Sequence, residues 1–229
     1  MIDICLPANN EKELINRARE LGYKELVFLY QFKSRKELQV KKAKYPDIKI
    51  GIHFTPKRGE VKISNQLYLE ADLIAVSSHN ENIIRAAVSN PKVDLVFGVP
   101  TSVGKDHTHY RYSNFNEIFA NLAKQNKVRY AIDFSQLLEN QGIARARLWG
   151  REAQNTRLSR RKLPIIIASF AKNKWQMRNP NDLAAIASVL GLNSPQAKAA
   201  VSTAILDILK YKQKRRSKNF ISPGVRVVK

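Results

Sequence analysis

The sequence predicts an α/β fold, a TIM-like (β/α) barrel in a single domain. The main observation is that seven short apolar runs alternate with helical segments, which is the chain order of a parallel sheet. The length of 229 residues suits one such barrel, and a hydrophobic fraction of 44% suffices for a substantial core. The candidate for an eighth strand, Val225–Val228, is poor because it follows a basic segment. The barrel is therefore expected to be complete or to lack one strand.

The seven apolar runs have the length and continuity of buried parallel strands. The first is interrupted only by Asp3. In chain order the predicted strands are Met1–Leu6, Glu25–Tyr30, Ile48–Phe54, Leu73–Val76, Val93–Phe97, Val128–Phe134 and Pro164–Ala168.

Capping residues mark where the predicted helices begin. Ser34 with Glu37 three residues later forms a capping box, and Pro180 and Pro195 suit first helical positions, where the missing N–H needs no partner. The predicted helices cover approximately residues 11–21, 34–44, 80–89, 116–127, 143–161, 179–191 and 194–209.

The helical pattern ends at Leu209, and the lysine- and arginine-rich stretch that follows predicts a frayed basic tail. We therefore expect a barrel domain over 1–209 and a tail over 210–229. The lone cysteine, Cys5, is consistent with a reducing compartment, and the N-terminus lacks the basic region of a signal peptide. No apolar run reaches the roughly 20 residues that span a bilayer. These features predict a cytoplasmic protein that does not contact membranes.

The charge is large and unevenly distributed. Forty basic residues against 19 acidic ones give a net charge of +21. Residues 141–182 contribute +8 and residues 210–229 another +8. Adaptation to salt or heat would scatter charges of both signs, whereas concentrated positive charge indicates a polyanion partner. The partner class indicated is nucleic acid, held by its phosphates.

The first basic segment contains a predicted helix over 143–161. Five of its polar side chains fall within about 120° of the circumference at about 100° per residue: Arg147, Arg151, Gln154, Arg157 and Arg161. The four arginines would present guanidinium groups to successive phosphates. A solvated helix face is the alternative, but self-repulsion along this helix would cost stability without a partner.

A second candidate site is the loop after strand seven, where barrels commonly place anion-binding groups. It carries Lys172, Lys174 and Arg178 as cations. Trp175 is suited to stack on an unpaired base, although a core-capping role is equally consistent with the sequence. Met177 is expected to pack in the core.

A catalytic metal site is the competing interpretation. His53 and His79 lie near the ends of strands three and four, and Asp3 and Asp133 lie in strands one and six. Carboxyl ends of barrel strands are where catalysis occurs. The first strand, however, offers no paired ligands, and the His-x-His at 107–109 lies in a polar loop. We therefore expect capping or RNA-facing histidines, buried aspartates and no metal bound by this chain.

Two segments carry a resemblance to a known family. Residues 168–183 contain Ser-x5-Trp-x2-Arg-x-Pro-x-Asp-Leu, and residues 195–199 read Pro-Gln-Ala-Lys-Ala. With the strand-six region 133–138 and the order of elements, the chain resembles archaeal ribonuclease P protein component 3. The resemblance covers most of the chain, its first third matching only in pattern. The loop Val99–Ser113 and the basic tail depart from it.

The resemblance implies a barrel related to polymerase-and-histidinol-phosphatase barrels that has lost most metal ligands. Members act in a ribonucleoprotein that removes 5′ leaders from precursor tRNA, in which the RNA subunit holds Mg²⁺ and performs the hydrolysis. The chain is then expected to bind no cofactor and to lack activity alone. It would pair with component 2 and other protein subunits, and would contact ribonuclease P RNA directly and precursor tRNA indirectly. The matching motif implies that Lys172, Lys174 and Arg178 contact RNA.

Two other functions stay open at this point. One is a metal-dependent barrel phosphoesterase, for which bound metal lost on substitution of His53 and His79 would be the sign. The other is a ribosomal or general RNA-packaging protein, which would co-purify with ribosomes.

Overall fold

A computed structural model describes residues 1–56, 59, 61–101, 104, 106, 108–109, 111–217, 220–222 and 225–226. Seven parallel strands form one sheet in chain order. They are β1 (Ile2–Cys5), β2 (Glu25–Gln31), β3 (Lys49–Phe54), β4 (Ile74–Ser77), β5 (Leu95–Phe97), β6 (Arg129–Asp133) and β7 (Ile165–Ala168). Each lies within two residues of its predicted bounds. The predicted barrel class is confirmed.

The first and last strands approach each other, which nearly closes the barrel. Cys5 at the end of β1 forms a parallel bridge with Ala171 beyond β7, and the Leu6 N–H donates to the Ala171 carbonyl at 2.9 Å. Val225–Arg226, part of the candidate eighth strand, instead forms β9 and pairs antiparallel with β8 (Phe220–Ser222). Val227 and Val228 lie outside the described residues. In the described part of the chain the barrel sheet therefore has seven strands.

The interior of the barrel is filled by apolar side chains. Successive strand residues face opposite sides of the sheet, so alternate positions such as Ile4 and Leu29 point inward and are buried. Near the carboxyl ends of the strands, Phe97 and Phe170 stack with ring centroids 4.5 Å apart. These rings occupy the region where barrel enzymes place their reacting groups.

Helices surround the sheet and cover its outer face with a second apolar cluster. Those that the structure describes are α1 (Glu11–Glu20), α2 (Arg35–Lys44), α3 (Asn65–Glu70), α4 (Glu81–Val88), α5 (Glu117–Asn126), α6 (Phe134–Glu139), α7 (Gly142–Ser159), α8 (Pro180–Val189), α9 (Ser194–Ala200) and α10 (Thr203–Arg216). Within the described ranges, no helix combines the length and apolarity needed to cross a bilayer.

The C-terminal helix is longer than the sequence predicts. The tail predicted to fray from Lys210 is helical to Arg216, and α10 covers the amino-terminal mouth of the barrel with its apolar face. Lys212 Nζ lies 2.9 Å from Asp94 Oδ2, and Arg216 donates to Asp72 Oδ1 at 2.6 Å. These aspartates lie just before β5 and β4. Ion pairs with the barrel thus extend the helix into the basic segment.

The other differences involve short helices. The sequence pattern does not reveal α3 or α6, each of six residues. Helix α6 begins where strand six was predicted to end, because the Asp133 carboxylate accepts the Gln136 N–H at 3.1 Å and caps a new helix. The single helix predicted over 194–209 is interrupted at Val201 and Ser202, between α9 and α10.

Candidate nucleic-acid interface

The β7 loop, residues 171–179, lies at the carboxyl end of the barrel. It contains a single 3₁₀ turn, Lys174–Gln176, which begins where the Asn173 side chain accepts the Trp175 N–H at 3.0 Å. Met177 is 1% exposed and anchors the loop in the core, which confirms its predicted packing role. The anchored turn places the cations and the indole of this loop on one rim of the barrel.

The two lysines of the β7 loop are paired with acids from neighbouring helices. Lys172 Nζ lies 2.9 Å from Glu139 of α6, and Lys174 Nζ lies 3.5 Å from Glu13 of α1. The four side chains are 41–59% exposed. Exposed pairs of this kind contribute about 0–1 kcal/mol, so a phosphate can replace the carboxylate. Sequence reasoning missed both glutamates, since residues so distant in sequence share no local pattern.

Trp175 projects into solvent with 73% of its surface exposed. The core-capping alternative for this residue is therefore wrong. Lys174 Nζ lies 5.3 Å from the centroid of the indole ring, so the rim presents a cation beside an open aromatic face. Unpaired bases bind to this combination by stacking and phosphate pairing. Base stacking by Trp175 stays a prediction.

Arg178 holds the end of the β7 loop. Its guanidinium donates to the carbonyls of Trp175 at 2.6 Å and Met177 at 2.9 Å, and lies 5.6 Å from the centroid of the Phe134 ring. The Tyr23 hydroxyl donates to the Arg178 carbonyl at 2.8 Å. Arg178 is half-buried and supports the conformation of the turn. Its RNA contact stays a prediction beside this structural role.

The predicted ridge on α7 is wrong at Arg151. This side chain is 0% exposed. Its guanidinium donates to the Asp106 carboxylate at 2.9 and 3.0 Å, to the Thr101 carbonyl at 2.5 Å and to the Gly104 carbonyl at 2.9 Å. The physical reason is that described residues between β5 and α5 contact the middle of the helix, namely Thr101, Gly104, Asp106 and Arg111. Arg151 is therefore an anchor for that segment and not an open phosphate site.

Neighbouring residues of α7 complete this anchor. The Arg111 guanidinium packs so closely on Gly150 that a Cβ there would lie 2.9 Å from its Cζ, and it donates to the Gly150 carbonyl at 3.1 Å. The Gln154 amide donates to the Arg111 carbonyl at 3.1 Å, and the Asn155 amide to the Ser113 carbonyl at 3.1 Å. A glycine inside a helix signals close backbone approach, and this signal was available in the sequence.

A buried acid lies behind the anchor. Glu152 is 0% exposed, and the Tyr130 hydroxyl donates to its Oε2 at 2.7 Å. Burial raises the pKa of Glu152 to about 8, and the hydrogen bond from Tyr130 lowers it by less than burial raises it. For Asp106, burial raises the pKa, but the Tyr112 N–H and the Arg151 guanidinium overcome this and leave the pKa lowered. The acid beside Arg151 is thus ionised at neutral pH, and Glu152 is mainly protonated.

The remaining arginines of the ridge lie on the surface. Arg147, Arg157 and Arg161 are exposed. Helix α7 runs antiparallel to the strands over 18 residues, so Arg147 lies toward the carboxyl end of the barrel and Arg161 toward the amino end. At about 1.5 Å per residue the helix spans about 27 Å. The predicted RNA-binding residues therefore form a rim at the carboxyl end and a separate basic edge along α7.

The interior face of the carboxyl end is apolar and crowded. The His53 ring lies edge-on to Phe97 with centroids 5.9 Å apart, and burial lowers the pKa of His53 to about 4. The His79 ring nitrogen Nδ1 lies 3.2 Å from the Val99 carbonyl. Neither histidine faces a second imidazole or a carboxylate in the described contacts. His107, half of the His-x-His pair, lies outside the described residues.

The two strand aspartates are held by hydrogen bonds. Asp3 accepts the Ser169 N–H at 2.7 Å and the Ser169 hydroxyl at 2.6 Å, and Asp133 accepts the Ser135 hydroxyl at 2.8 Å. Burial raises the pKa of both aspartates to about 6, while the serine hydrogen bonds lower it. Among described residues, no three His, Cys, Asp or Glu side chains are grouped to hold a metal ion. Asp3 instead joins β1 to the segment after β7, and Asp133 caps α6.

Comparison with known proteins identifies the family of this chain. The family model for RNase P subunit p30 matches residues 1–217, which includes the β7 loop, α7 and α10. The chain belongs to the RNase P subunit p30 family. That membership confirms the resemblance found in the sequence. It also confirms the expected role as a ribonuclease P protein subunit.

Curated relatives agree with the family. The chain is 28% identical over 233 residues to ribonuclease P protein component 3 of Methanosarcina mazei, covering 96% of this chain and 90% of that protein. It is 30% identical over 159 residues to ribonuclease P protein component 3 of Methanococcoides burtonii, covering 69% of this chain and 62% of that one. The latter match thus spans about three fifths of its relative.

Solved structures support the fold. A chain of the archaeal ribonuclease P complex with mature tRNA, determined by cryo-electron microscopy, superposes with a TM-score of 0.75 at 25% identity. The match covers 100% of this chain and 98% of that chain. A Xaa-Pro dipeptidase superposes with a TM-score of 0.56 at 9% identity, which shows a shared barrel fold alone.

Proposed function

We propose that this protein is a non-catalytic, RNA-binding subunit of ribonuclease P, the ribonucleoprotein that removes 5′ leaders from precursor tRNA. The observation that carries the proposal is the RNase P subunit p30 match over 1–217, together with a cationic rim at the carboxyl end of the barrel. In this role the RNA subunit holds Mg²⁺ and hydrolyses the phosphodiester, and the protein stabilises the active RNA fold.

The rim is suited to phosphates and unpaired bases. Lys172 and Lys174 would exchange their glutamate partners for phosphates, which releases counterions from the RNA and drives binding. Trp175 would stack on one base beside the Lys174 cation. The exposed Arg147, Arg157 and Arg161 extend the positive field along α7. RNA contact by these residues and by Arg178 is part of this proposal.

The protein partners are part of the proposal. Component 2 would be the direct protein partner, as the resemblance of the β7 loop and of residues 195–199 to component 3 implies. The relatives from Methanosarcina mazei and Methanococcoides burtonii are themselves component 3 proteins. Other ribonuclease P protein subunits would be partners in the same complex. The protein would act in the cytoplasm, and precursor tRNA would be contacted indirectly.

Isolation of the native complex through this chain tests the function. We expect one structured RNA in the complex, with leader-removing activity on precursor tRNA in Mg²⁺ that is lost after nuclease digestion of that RNA. Cleavage that survives complete digestion would instead support a protein active site near His53 and His79. Ribosomal RNA without cleavage would support a packaging protein.

Substitution of Trp175 sharpens the test at the rim. Trp175→Ala should weaken RNA binding by about 1–3 kcal/mol, the usual contribution of a base–aromatic stack. Trp175→Phe should retain much of the affinity because it keeps a ring. Both variants should melt like the parent protein, since the indole is 73% exposed. Equal affinities for the alanine, phenylalanine and parent proteins would remove Trp175 from the interface.

A further inference from the structure

A cleft of about 430 Å³ opens at the amino-terminal end of the barrel, opposite the β7 loop. Residues before β5 and at the start of β6 form its floor, and the end of α5 and one side of α10 form its walls. The volume falls within the range of ligand pockets, about 300–1,000 Å³. The predicted RNA-binding residues do not line this cleft.

Cations from three different elements converge on the cleft. They are Lys127 after α5, Arg129 at the start of β6 and Arg215 of α10. The Nε of Arg129 is buried and has no hydrogen-bond partner among the described residues. A buried guanidinium nitrogen without an acceptor is costly, and an anion in the cleft would satisfy it.

The acids of the cleft leave this positive character in place. Asp94 is buried and neutralised by Lys212 at 2.9 Å, and also accepts the Ile74 N–H at 2.7 Å. Asp207 is the other acid in the lining and attracts Arg129 without a direct ion pair in the described contacts. The cleft is thus lined by three cations and by one carboxylate, Asp207, that has no direct ion pair in the described contacts.

The cleft also has an aromatic wall. Tyr68 and Tyr211 line it, and the Arg215 guanidinium lies 4.9 Å from the centroid of the first ring and 5.8 Å from that of the second. Tyr211 is partly exposed at the mouth. An aromatic wall beside cations is the chemistry that binds a nucleotide of a single strand, by stacking and phosphate pairing together.

We propose that this cleft binds one unpaired nucleotide of the RNA, with its phosphate paired to Arg129 and Lys127 and its base or ribose against Tyr211. The proposal rests on the proposed function for its RNA, and adds a second contact at the end of the barrel away from the β7 loop. The RNA would then touch both ends of the barrel. A bound nucleotide would bring Asp207 close to the phosphate, so this carboxylate weakens the site.

The test measures binding of the full chain to the RNA recovered from the native complex, by fluorescence anisotropy over a range of KCl concentrations. Arg129→Gln and Lys127→Gln should each lower the slope of log affinity against log salt by about 0.7–0.9, the value for one phosphate contact. Asp207→Asn should tighten binding at low salt about two- to fivefold, as expected for removal of one exposed like charge. Arg19→Gln, an exposed arginine on α1, is the matched control and should leave the slope unchanged.

Several outcomes would contradict nucleotide binding in the cleft and leave the proposed function standing. One is that Arg129→Gln and Lys127→Gln both match the Arg19→Gln control while the parent protein still binds RNA. Lys127 is exposed, so its variant should fold even where Arg129→Gln is unstable. Release of a protein subunit from the complex by Arg129→Gln, with an unchanged salt slope, would assign the cleft to a protein carboxylate. Failure of the proposed function would look different, because the parent complex would then contain no ribonuclease P RNA.

Discussion

The two basic segments carry the same net charge of +8, but the structure uses that charge differently. In 210–216, Lys212 and Arg216 are paired with aspartates at the mouth of the barrel and hold α10 in place. In 141–182, Arg147, Arg157 and Arg161 remain on the surface. Net charge therefore identifies a polyanion-binding protein, while packing decides which cations are available to the polyanion.

The same contrast exists within helix α7. Arg147 and Arg151 are one turn apart and were predicted to share a ridge, but the first is exposed and the second is fully buried. Thr101, Gly104 and Asp106, which contact Arg151, lie in the loop that was predicted to depart from the family pattern. Substitution of the buried arginine of this helix should thus lower stability, whereas substitution of the exposed arginine should lower RNA affinity.

The largest effect is expected at the mouth of the barrel. Lys212→Met should lower the free energy of unfolding by about 3–5 kcal/mol, because Asp94 would remain buried without its partner. Urea denaturation measures the change. Lys210→Met, the exposed neighbour on α10, is the matched control and should stay within about 0.5 kcal/mol of the parent. Similar stability of the two variants would show that α10 does not need the Lys212–Asp94 pair.

A smaller loss of stability is expected at the α7 anchor. Arg151→Met should lower the free energy of unfolding by about 1.5–3 kcal/mol, because its charged hydrogen bonds to Asp106 and to two carbonyls disappear. Arg147→Met should leave stability unchanged and weaken RNA binding instead. Urea denaturation measures the stability of both variants, and fluorescence anisotropy measures their RNA affinity. If Arg147→Met lost as much stability as Arg151→Met, the distinction between the two arginines would be wrong.

The smallest effect concerns pH. Glu152 has a pKa raised to about 8 by burial, against about 4.5 when unfolded, so the unfolded state binds fewer protons between these values. Its contribution to stability therefore decreases as pH rises from about 4.5 to 8. Asp3 and Asp133 act in the same direction only up to about pH 6. Between pH 6.5 and 8, the parent protein should lose about 1–2 kcal/mol more than Glu152→Gln.

Urea denaturation of both proteins at these two pH values gives the comparison. Glu139→Gln is a suitable control because its carboxylate is 42% exposed. Equal pH dependence of the parent and Glu152→Gln proteins would mean that Glu152 is not protonated in the folded state.

Much of the fold was accessible from the sequence because the barrel strands are buried on both faces. Such strands appear as continuous apolar runs, and all seven were predicted within two residues. The short helices α3 and α6 have too few turns for a clear period, and depend on caps such as Asp133. The end of α10 was not accessible, because Lys212 stands where the apolar stripe would continue after Ile208, and its partner Asp94 is distant in sequence.

The candidate site was less accessible, because its contacts join residues that are distant in sequence. The residues of the β7 loop were predicted from a local motif, and the structure places them together on one rim. The glutamates that pair with Lys172 and Lys174 come from α6 and α1, and the Arg151 partners come from the segment before α5. Helical spacing located the ridge of α7 but carried no information about what covers it. The cleft around Arg129 combines residues from five parts of the chain and has no motif at all.

The most direct measurement is the salt dependence of RNA binding by the double variant Lys172→Gln/Lys174→Gln. Anisotropy with the RNA of the native complex gives the slope of log affinity against log salt. We predict a slope smaller by about 1.4–1.8 than that of the parent, for two lost phosphate contacts. The control double variant Lys24→Gln/Lys198→Gln, at exposed positions away from the rim, should keep the parent slope. An unchanged slope in the rim variant, or an equal decrease in both, would contradict the assignment of the β7 loop as an RNA contact.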